Sequence, residues 1–467
     1  MLNELLSWLS ENEGSISAVV GLTFLVGLAL GPIRSVVRRR DNNTPKEGRA
    51  DTDEVLAPTQ CQTPANSRDT LLALLPVTHA RDDISDDAWA RSLDEDLATY
   101  LSRSTVVRIV AGGGGNFESL EDILKSLRKR RVRYTLQTRI RPKGDQIRVN
   151  TQLIDVATAQ YLWSHFYTRE LETFETEAED LAHMIATQVL VPIIQAEVSH
   201  ALAMDESEWD YRMLTHVGYH AFMFGGRDED VFRETRKLMN RAVELGPEDP
   251  HARATRAISL ATTVAFNFSE DPATDVATAK ADIELAMRRA PSDATVLHAR
   301  AWVSGYFEGY KYGVPFLERA IESDPSHPHI RADYAYMLFF SGQTEEGKAQ
   351  LAQAFRLSEH DPREYIWRFF SGAMSLYEGD PEAAIEHLDI SIALATYPVA
   401  NMTKIIALLV LSREQEARQA LEEFAYKCGP TYGQKEFLSY TSGVSKDEAL
   451  TRKIRKLAEV WPGDTAN

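Results

Sequence analysis

ELAMRRAPSD (284–293), LERAIESDPSH (317–327) and LAQAFRLSEHDP (351–362) are variants of one phrase. They place Ala286, Ala320 and Ala354 at intervals of 34 residues, with Leu317 and Leu351 repeating three positions upstream. Ala301 and Ala335 keep the same interval, as do Gly313 and Gly347. Thirty-four is the tetratricopeptide period, in which each repeat is a pair of helices. Small residues are required where the two helices cross closely, and proline ends the second helix. Gly372 and Ala384 continue the pattern three residues out of phase, displaced by the loop at 360–363. Ala242 and Pro247 stand as Ala286 and Pro291 do, but 44 residues earlier, because FNFSEDPATD (266–275) lengthens one loop. Working outward, a first unit starts near Trp209 with Gly218, and a last one near Ala400 with Ala417 and Leu421. The spacing predicts about six helix pairs over 205–430 and a capping segment over 431–467, with a closing helix at 446–461.

The whole chain of 467 residues is 44% hydrophobic and 26% charged, with 51 basic against 69 acidic residues and a net charge of −18. That composition excludes a collagen-like or wholly disordered chain. Two cysteines, Cys61 and Cys428, exclude a disulfide scaffold and lack metal spacing. The acidity argues against a nucleic-acid partner. Residues 201–467 hold about 41 acids and 29 bases, so most of the excess lies over the repeats and favours a basic ligand. His216 and His220 have the spacing of a zinc pair, but the glutamate of H-E-x-x-H is missing and helix packing explains them. No metal and no cofactor is expected.

Upstream, GSISAVVGLTFLVGLALGPI (14–33) carries no charge and is long enough to cross a bilayer. Acidic residues precede it, and Arg34, Arg38, Arg39 and Arg40 follow. Without a basic leader or a small-residue cleavage site it reads as an uncleaved anchor. The positive-inside rule then puts residues 1–13 outside the cell and the bulk of the chain in the cytoplasm. Residues 34–68 combine this basic flank with a polar, proline-punctuated tether.

Between tether and repeats, residues 69–200 alternate strand and helix patterns in the order β-α-β-α-β-β-β-α. The full expectation is thus a transmembrane helix, a small mixed α/β domain and an all-α solenoid. Gly112, Gly113, Gly114 and Gly115 lie between a strand and a helix, but no lysine follows as a phosphate loop requires, so a connector is the simpler reading. The carboxylates from Asp82 to Asp96 suit a helix start and its wet face better than a metal. Nine basic residues against one acid fill 128–148. Arg131, Arg133, Arg139 and Arg141 alternate with neutral residues and are expected on one sheet face, available to anionic lipid or an acidic partner.

LLALLPV (71–77), ARSLDEDLATYLSR (90–103), VVRIVA (106–111) and the block from Val132 to Leu171 containing QLIDVATAQYLWS resemble the TolB-like amino-terminal α/β domain. That module lies between a membrane segment and tetratricopeptide repeats in bacterial signalling proteins, beside winged-helix regulators or class III nucleotide cyclases. Four glycines stand where a Ser/Thr-rich loop is expected. The resemblance implies a signalling context and supplies no catalytic residue; neither effector domain is expected in the 13 residues before the anchor. The leading expectation is a non-enzymatic, membrane-anchored adaptor binding a protein partner through the repeat groove. The alternative is a regulatory subunit of a separate cyclase, kinase or transcriptional regulator. An enzyme is the third reading, and no nucleophile elbow or metal motif speaks for it.

Overall fold

The computed structural model describes residues 70–79, 88–104, 106–112, 119–224, 229–358, 361–428, 432–444, 448–459 and 461. The anchor at 14–33, its arginines Arg34, Arg38, Arg39 and Arg40, the tether to residue 68, Asp82, Asp83, Asp86, Asp87 and Gly113–Gly115 lie outside them. The chain divides into two compact units, with the boundary between Ala178 and Glu179.

The first unit is a mixed sheet. Strands β1 (Leu71–Leu74), β2 (Thr78–His79), β3 (Arg108–Ala111), β4 (Tyr134–Lys143), β5 (Gln146–Asp155) and β6 (Tyr161–Glu170) run in the order β3-β1-β4-β5-β6, with β2 also on β4. Pairing is parallel through β1 and antiparallel from β4 to β6. Two helices connect the parallel part, α1 (Ala88–Ser102) and α2 (Leu120–Lys129). In α1, Leu93, Leu97 and Leu101 recur every four residues and all are buried. Ser119 caps α2 by accepting the Asp122 amide, and Leu124 and Leu127 pack with Ala73 and Ile154. The β4–β5 turn holds Gly144 at φ +62°, a conformation that costs a side chain strain. The order matches the expected β-α-β-α-β-β-β-α, with the two-residue β2 added. Gly112 has a packing reason: a Cβ there would stand 2.3 Å from the Leu74 carbonyl oxygen.

Helix α3 (Phe174–Leu202) was expected to close this domain, but from Glu179 onward it belongs with the repeats. By length and composition it also passes for a membrane span, yet two thirds of its apolar window is buried in the fold. Its polar side chains say why. His183 Nε2 lies 2.7 Å from the Pro325 carbonyl, Gln188 donates to the Leu357 carbonyl at 3.4 Å, and Asp180 pairs with Arg356. Near its other end Trp209 donates to the Ala201 carbonyl. At 1.5 Å per residue the helix extends about 33 Å from Asp180 to Leu202, and its polar side chains meet the chain near Pro325 and at Arg356 and Leu357, where two successive repeats end.

The repeats are helix pairs: α4 (Tyr211–Phe224) with α5 (Glu229–Leu245), α6 (Pro250–Ala265) with α7 (Pro272–Arg289), and α8 (Ala294–Phe307) with α9 (Tyr310–Ser323). They continue as α10 (Pro328–Phe340) with α11 (Thr344–Leu357), α12 (Glu364–Tyr377) with α13 (Pro381–Leu394), and α14 (Pro398–Val410) with α15 (Glu414–Cys428). The expected capping segment is itself a pair, α16 (Gln434–Val444) and α17 (Glu448–Ala458). Asp249, Asp271, Asp293 and Asp380 cap helix N-termini, and Pro250, Pro272 and Pro381 follow three of them at the first helical position. Pro328 and Pro398 open two more helices, so proline starts helices here as well as following their ends.

Ala242, Ala286, Ala301, Ala320, Ala335, Ala354 and Ala384 are all fully buried. A Cβ on Gly313 would lie 2.6 Å from the Ala301 carbonyl oxygen, and one on Gly347 would lie 2.8 Å from that of Ala335. The same contact thus recurs after 34 residues. In the next pair the residues exchange places: Gly372 sits on the first helix and its Cβ would meet Leu388 and the Ala384 carbonyl.

The lengthened loop closes the array on itself. Phe266 and Phe268 pack on Phe232, and Phe268 meets Tyr432 edge-on at 5.4 Å, joining the cluster of Phe424, Phe437 and Trp461. The second pair therefore touches the last. Phe268→Ala is expected to cost about 1–2 kcal/mol and to speed amide exchange in α16 and α17; unchanged exchange there would show that the contact carries no closure.

Candidate functional site

Closure changes what the concave face offers. The first helices of successive pairs converge on a cavity of about 30 Å³, room for about two waters, lined from Phe222 on α4 to Tyr397 before α14. One side is aromatic, with Trp302, Tyr306 and Phe370. The other is polar. Asp333 on α10 is 2% exposed, and its Oδ2 accepts from His298 Nε2 at 2.7 Å and from Trp302 Nε1 at 2.9 Å. Burial opposes ionisation of Asp333, but the His298 and Trp302 bonds and the nearby Arg363 charge outweigh it and hold the pKa below the usual carboxylate range. Arg363, the residue before α12, is 3% exposed, and its Nε and Nη1 have no hydrogen-bond partner. A buried guanidinium in this condition is costly unless something else meets it.

Around this pair sit two buried imidazoles. His327 caps α10, its Nδ1 accepting the Ile330 amide, a role only an unprotonated nitrogen can fill. Burial, with His298 and Arg363 nearby, pushes its pKa down to about 3, and burial with Arg363 pushes His329 well below 6.5. Both rings stay neutral in the fold while the unfolded chain protonates near pH 6.5, so stability is lost as pH falls below that value. At pH 5.5 each costs about 1.4 kcal/mol. Asp361, raised by burial to about 6, works the other way on acidification, and so does His251, whose desolvation is overridden by the Asp293 carboxylate at 2.9 Å. The two neutral imidazoles are expected to win. Urea midpoints should fall from pH 7.5 to 5.5, and His329→Asn should flatten the slope; a midpoint that rises on acidification would contradict the assignment.

The basic stretch resolves differently from its expected form. Only Arg139 and Arg141 lie within β4, on one face, with Arg148 of β5 directly opposite Arg141. Arg148 covers the half-exposed ring of Phe166 at 3.9 Å. Arg131 occupies the preceding turn at φ 58°, which takes it off the strand, and Arg133 is half-buried with its guanidinium 5.7 Å from the Tyr134 ring. The opposite face, with Leu136, Ile140, Val149 and Tyr167, is buried. Cross-strand pairing supplies Arg148, which alternation along a single strand does not show. His216 stands on an exposed position of α4, its pKa lowered by partial desolvation, and the His220 ring packs on Phe224 at 4.9 Å. Among the described residues no group of three or more His, Cys, Asp or Glu is placed to hold a metal.

Comparison with known proteins gives partial likenesses. No family model matches the chain. Putative adenylate cyclase 3 of Rhizobium meliloti (strain 1021) is 25% identical over 218 residues, 46% of this chain. The match spans 36% of that protein, little more than a third of its length. PilF of Pseudomonas aeruginosa has 20% identity and a TM-score of 0.33, covering 46% of this chain and 94% of the other. TolB from Acinetobacter baumannii has 17% identity and a TM-score of 0.19, covering 26% and 27%.

Proposed function

We propose that this chain is a membrane-tethered adaptor with no reaction of its own, which holds a protein partner on its repeat array. The observation that carries the reading is the stack of helix pairs with one recurring glycine–alanine contact, an extended scaffold whose surface is set by neighbouring repeats. The acidic balance of residues 201–467 favours a basic partner surface. Because the inner face is drawn in around a small cavity, the reading places the partner on the outer and edge surfaces, where Tyr426, Leu394 and Leu245 are exposed. In the same reading, residues 14–33 anchor the chain at the inner membrane with the array in the cytoplasm, and Arg139, Arg141 and Arg148 face anionic head groups.

Affinity purification of the full-length protein from membranes, followed by mass spectrometry, tests this. Loss of the same partner on deleting residues 205–430 is the expected result; retention of every partner would end the array reading. A reporter fused after Asn467 should stay cytoplasmic.

A second reading, a regulatory subunit for a separate nucleotide cyclase, rests on the likeness to putative adenylate cyclase 3. It requires that the recovered partner be such an effector and that its output change when the array is bound.

A further inference from the structure

We propose that the exposed sheet face around Phe166 docks on an anionic bilayer, where Arg148 exchanges the Phe166 ring for lipid phosphate and the freed ring enters the head-group layer. The proposal rests on the tethered reading, in which these arginines meet head groups, and adds the ring and the exchange that hold them there.

The face is built by three strands in register. Arg139, Asn150 and Phe166 form one row across β4, β5 and β6, and Arg141, Arg148 and Thr168 form the next. No acid stands among these six positions. Beyond them come Asp145 in the turn and Glu170, whose carboxylate already accepts from Gln146. Arg141 and Arg148 are exposed and Arg139 is half-buried. Among the described residues none of the three guanidinium groups has a carboxylate partner. Like charges directly opposite each other destabilise a sheet. Keeping Arg141 opposite Arg148 without a carboxylate is therefore a cost that an external anion removes. Phosphate suits them, since the guanidinium fork binds it through paired N–H donors where lysine offers a point charge.

Phe166 decides between a bilayer and a free anion. It is the large apolar side chain of the two rows, and 51% of it is exposed. Arg148 covers it, with the guanidinium carbon 3.9 Å from the ring centroid. In water that contact shields one side of the ring and places a cation against its face. A free phosphate would satisfy the arginines and leave the ring wet. A bilayer offers phosphate and apolar depth in one surface, so both partners of the contact gain by parting.

The bilayer is also within reach. Residues 34–69 number 36, and a flexible chain of that length spans about 33 Å r.m.s.. Screened attraction acts over about 8–10 Å. The tether thus keeps the domain near the surface and leaves contact to the arginines and the ring.

The test uses the full-length protein carrying Phe166→Trp, with the wild type as the blank. It is reconstituted by detergent removal with vesicles of brominated phosphatidylcholine, or of an equimolar mixture with brominated phosphatidylglycerol. Bromine quenches the reporter only on contact, and stronger quenching in the mixed vesicles is expected. Arg141→Gln should weaken docking about fivefold, the effect of one charge at the surface. The triple variant Arg139→Gln, Arg141→Gln, Arg148→Gln should lose the excess quenching altogether. Slower amide exchange over β5 and β6 of the wild type in mixed vesicles gives the same reading without the reporter.

Equal quenching in both lipids would overturn the proposal. So would loss of the excess in inorganic phosphate but not in chloride of the same ionic strength, which would mean a free-anion site. Binding of poly-L-glutamate without excess quenching would mean an acidic protein surface, and would also overturn it. Flotation with neutral vesicles reads the anchor separately. A chain that floats without the charge-dependent excess keeps the tether and loses the dock; one that shows the excess without floating on neutral lipid does the reverse.

Discussion

Asp333→Ala is expected to destabilise the array by about 3–5 kcal/mol, the cost of breaking a buried charge network by removing one partner. The substitution strips the acceptor from His298 Nε2 and Trp302 Nε1 together and leaves Arg363 as an uncompensated buried cation. None of these groups can turn to water, since each is at most 6% exposed. Asp333→Asn should cost less, because an amide oxygen still accepts one of the two bonds. Denaturant unfolding followed by tryptophan fluorescence measures both. If alanine and asparagine cost the same, the hydrogen bonds to Asp333 do not matter and only its charge does.

Gly347→Ala is expected to cost about 2 kcal/mol although alanine is the better helix former. The added carbon would stand 2.8 Å from the Ala335 carbonyl oxygen and equally close to the amide nitrogen and Cβ of Phe339. Two of these three are backbone atoms, so α10 and α11 must move apart, and no side chain can yield instead. The propensity gain of about 1 kcal/mol offsets part of an overpacking cost of about 3 kcal/mol. A melting temperature lower by about 4–8 °C follows for a unit of this size. Gly313→Ala repeats the experiment one period earlier, against Ala301 and the Met337 sulfur. Gly144→Ala is the control: nothing lies within 4 Å of its Cβ, so only the strain of φ +62° remains. Should Gly347→Ala stabilise the protein, the close crossing of these helices would be disproved.

Much of this architecture can be read from residue spacing alone, because a repeat writes its packing rule several times. Ala286, Ala320 and Ala354 announce the period, and Gly313 and Gly347 mark where helices cross. The three long strands are equally legible, since alternation along β4 and β5 separates a buried face from a wet one. What spacing hides is long-range pairing. Nothing local says that Asp333 meets His298, or that Arg148 stands opposite Arg141. The apolar run of α3 is equally ambiguous, because residues buried on every side look the same whether a domain core or a row of repeat loops covers them. The cavity depends on curvature, which accumulates over many pairs and is fixed by none. The inserted loop was legible as extra length, but its destination at Tyr432 was not.

That contact between Phe268 and Tyr432 also bears on how the chain reaches its fold. Open repeat arrays rely on neighbouring contacts, nucleate almost anywhere and fray from their ends. A link between the second pair and the last adds one contact of very long sequence separation, and such contacts slow folding because a large loop must close first. During synthesis the early pairs can stack as they emerge, but the closure waits for the final helices. Refolding of the full-length protein should therefore show a fast phase of helix stacking and a slower one of ring closure, and Phe268→Ala should remove the second while leaving the first.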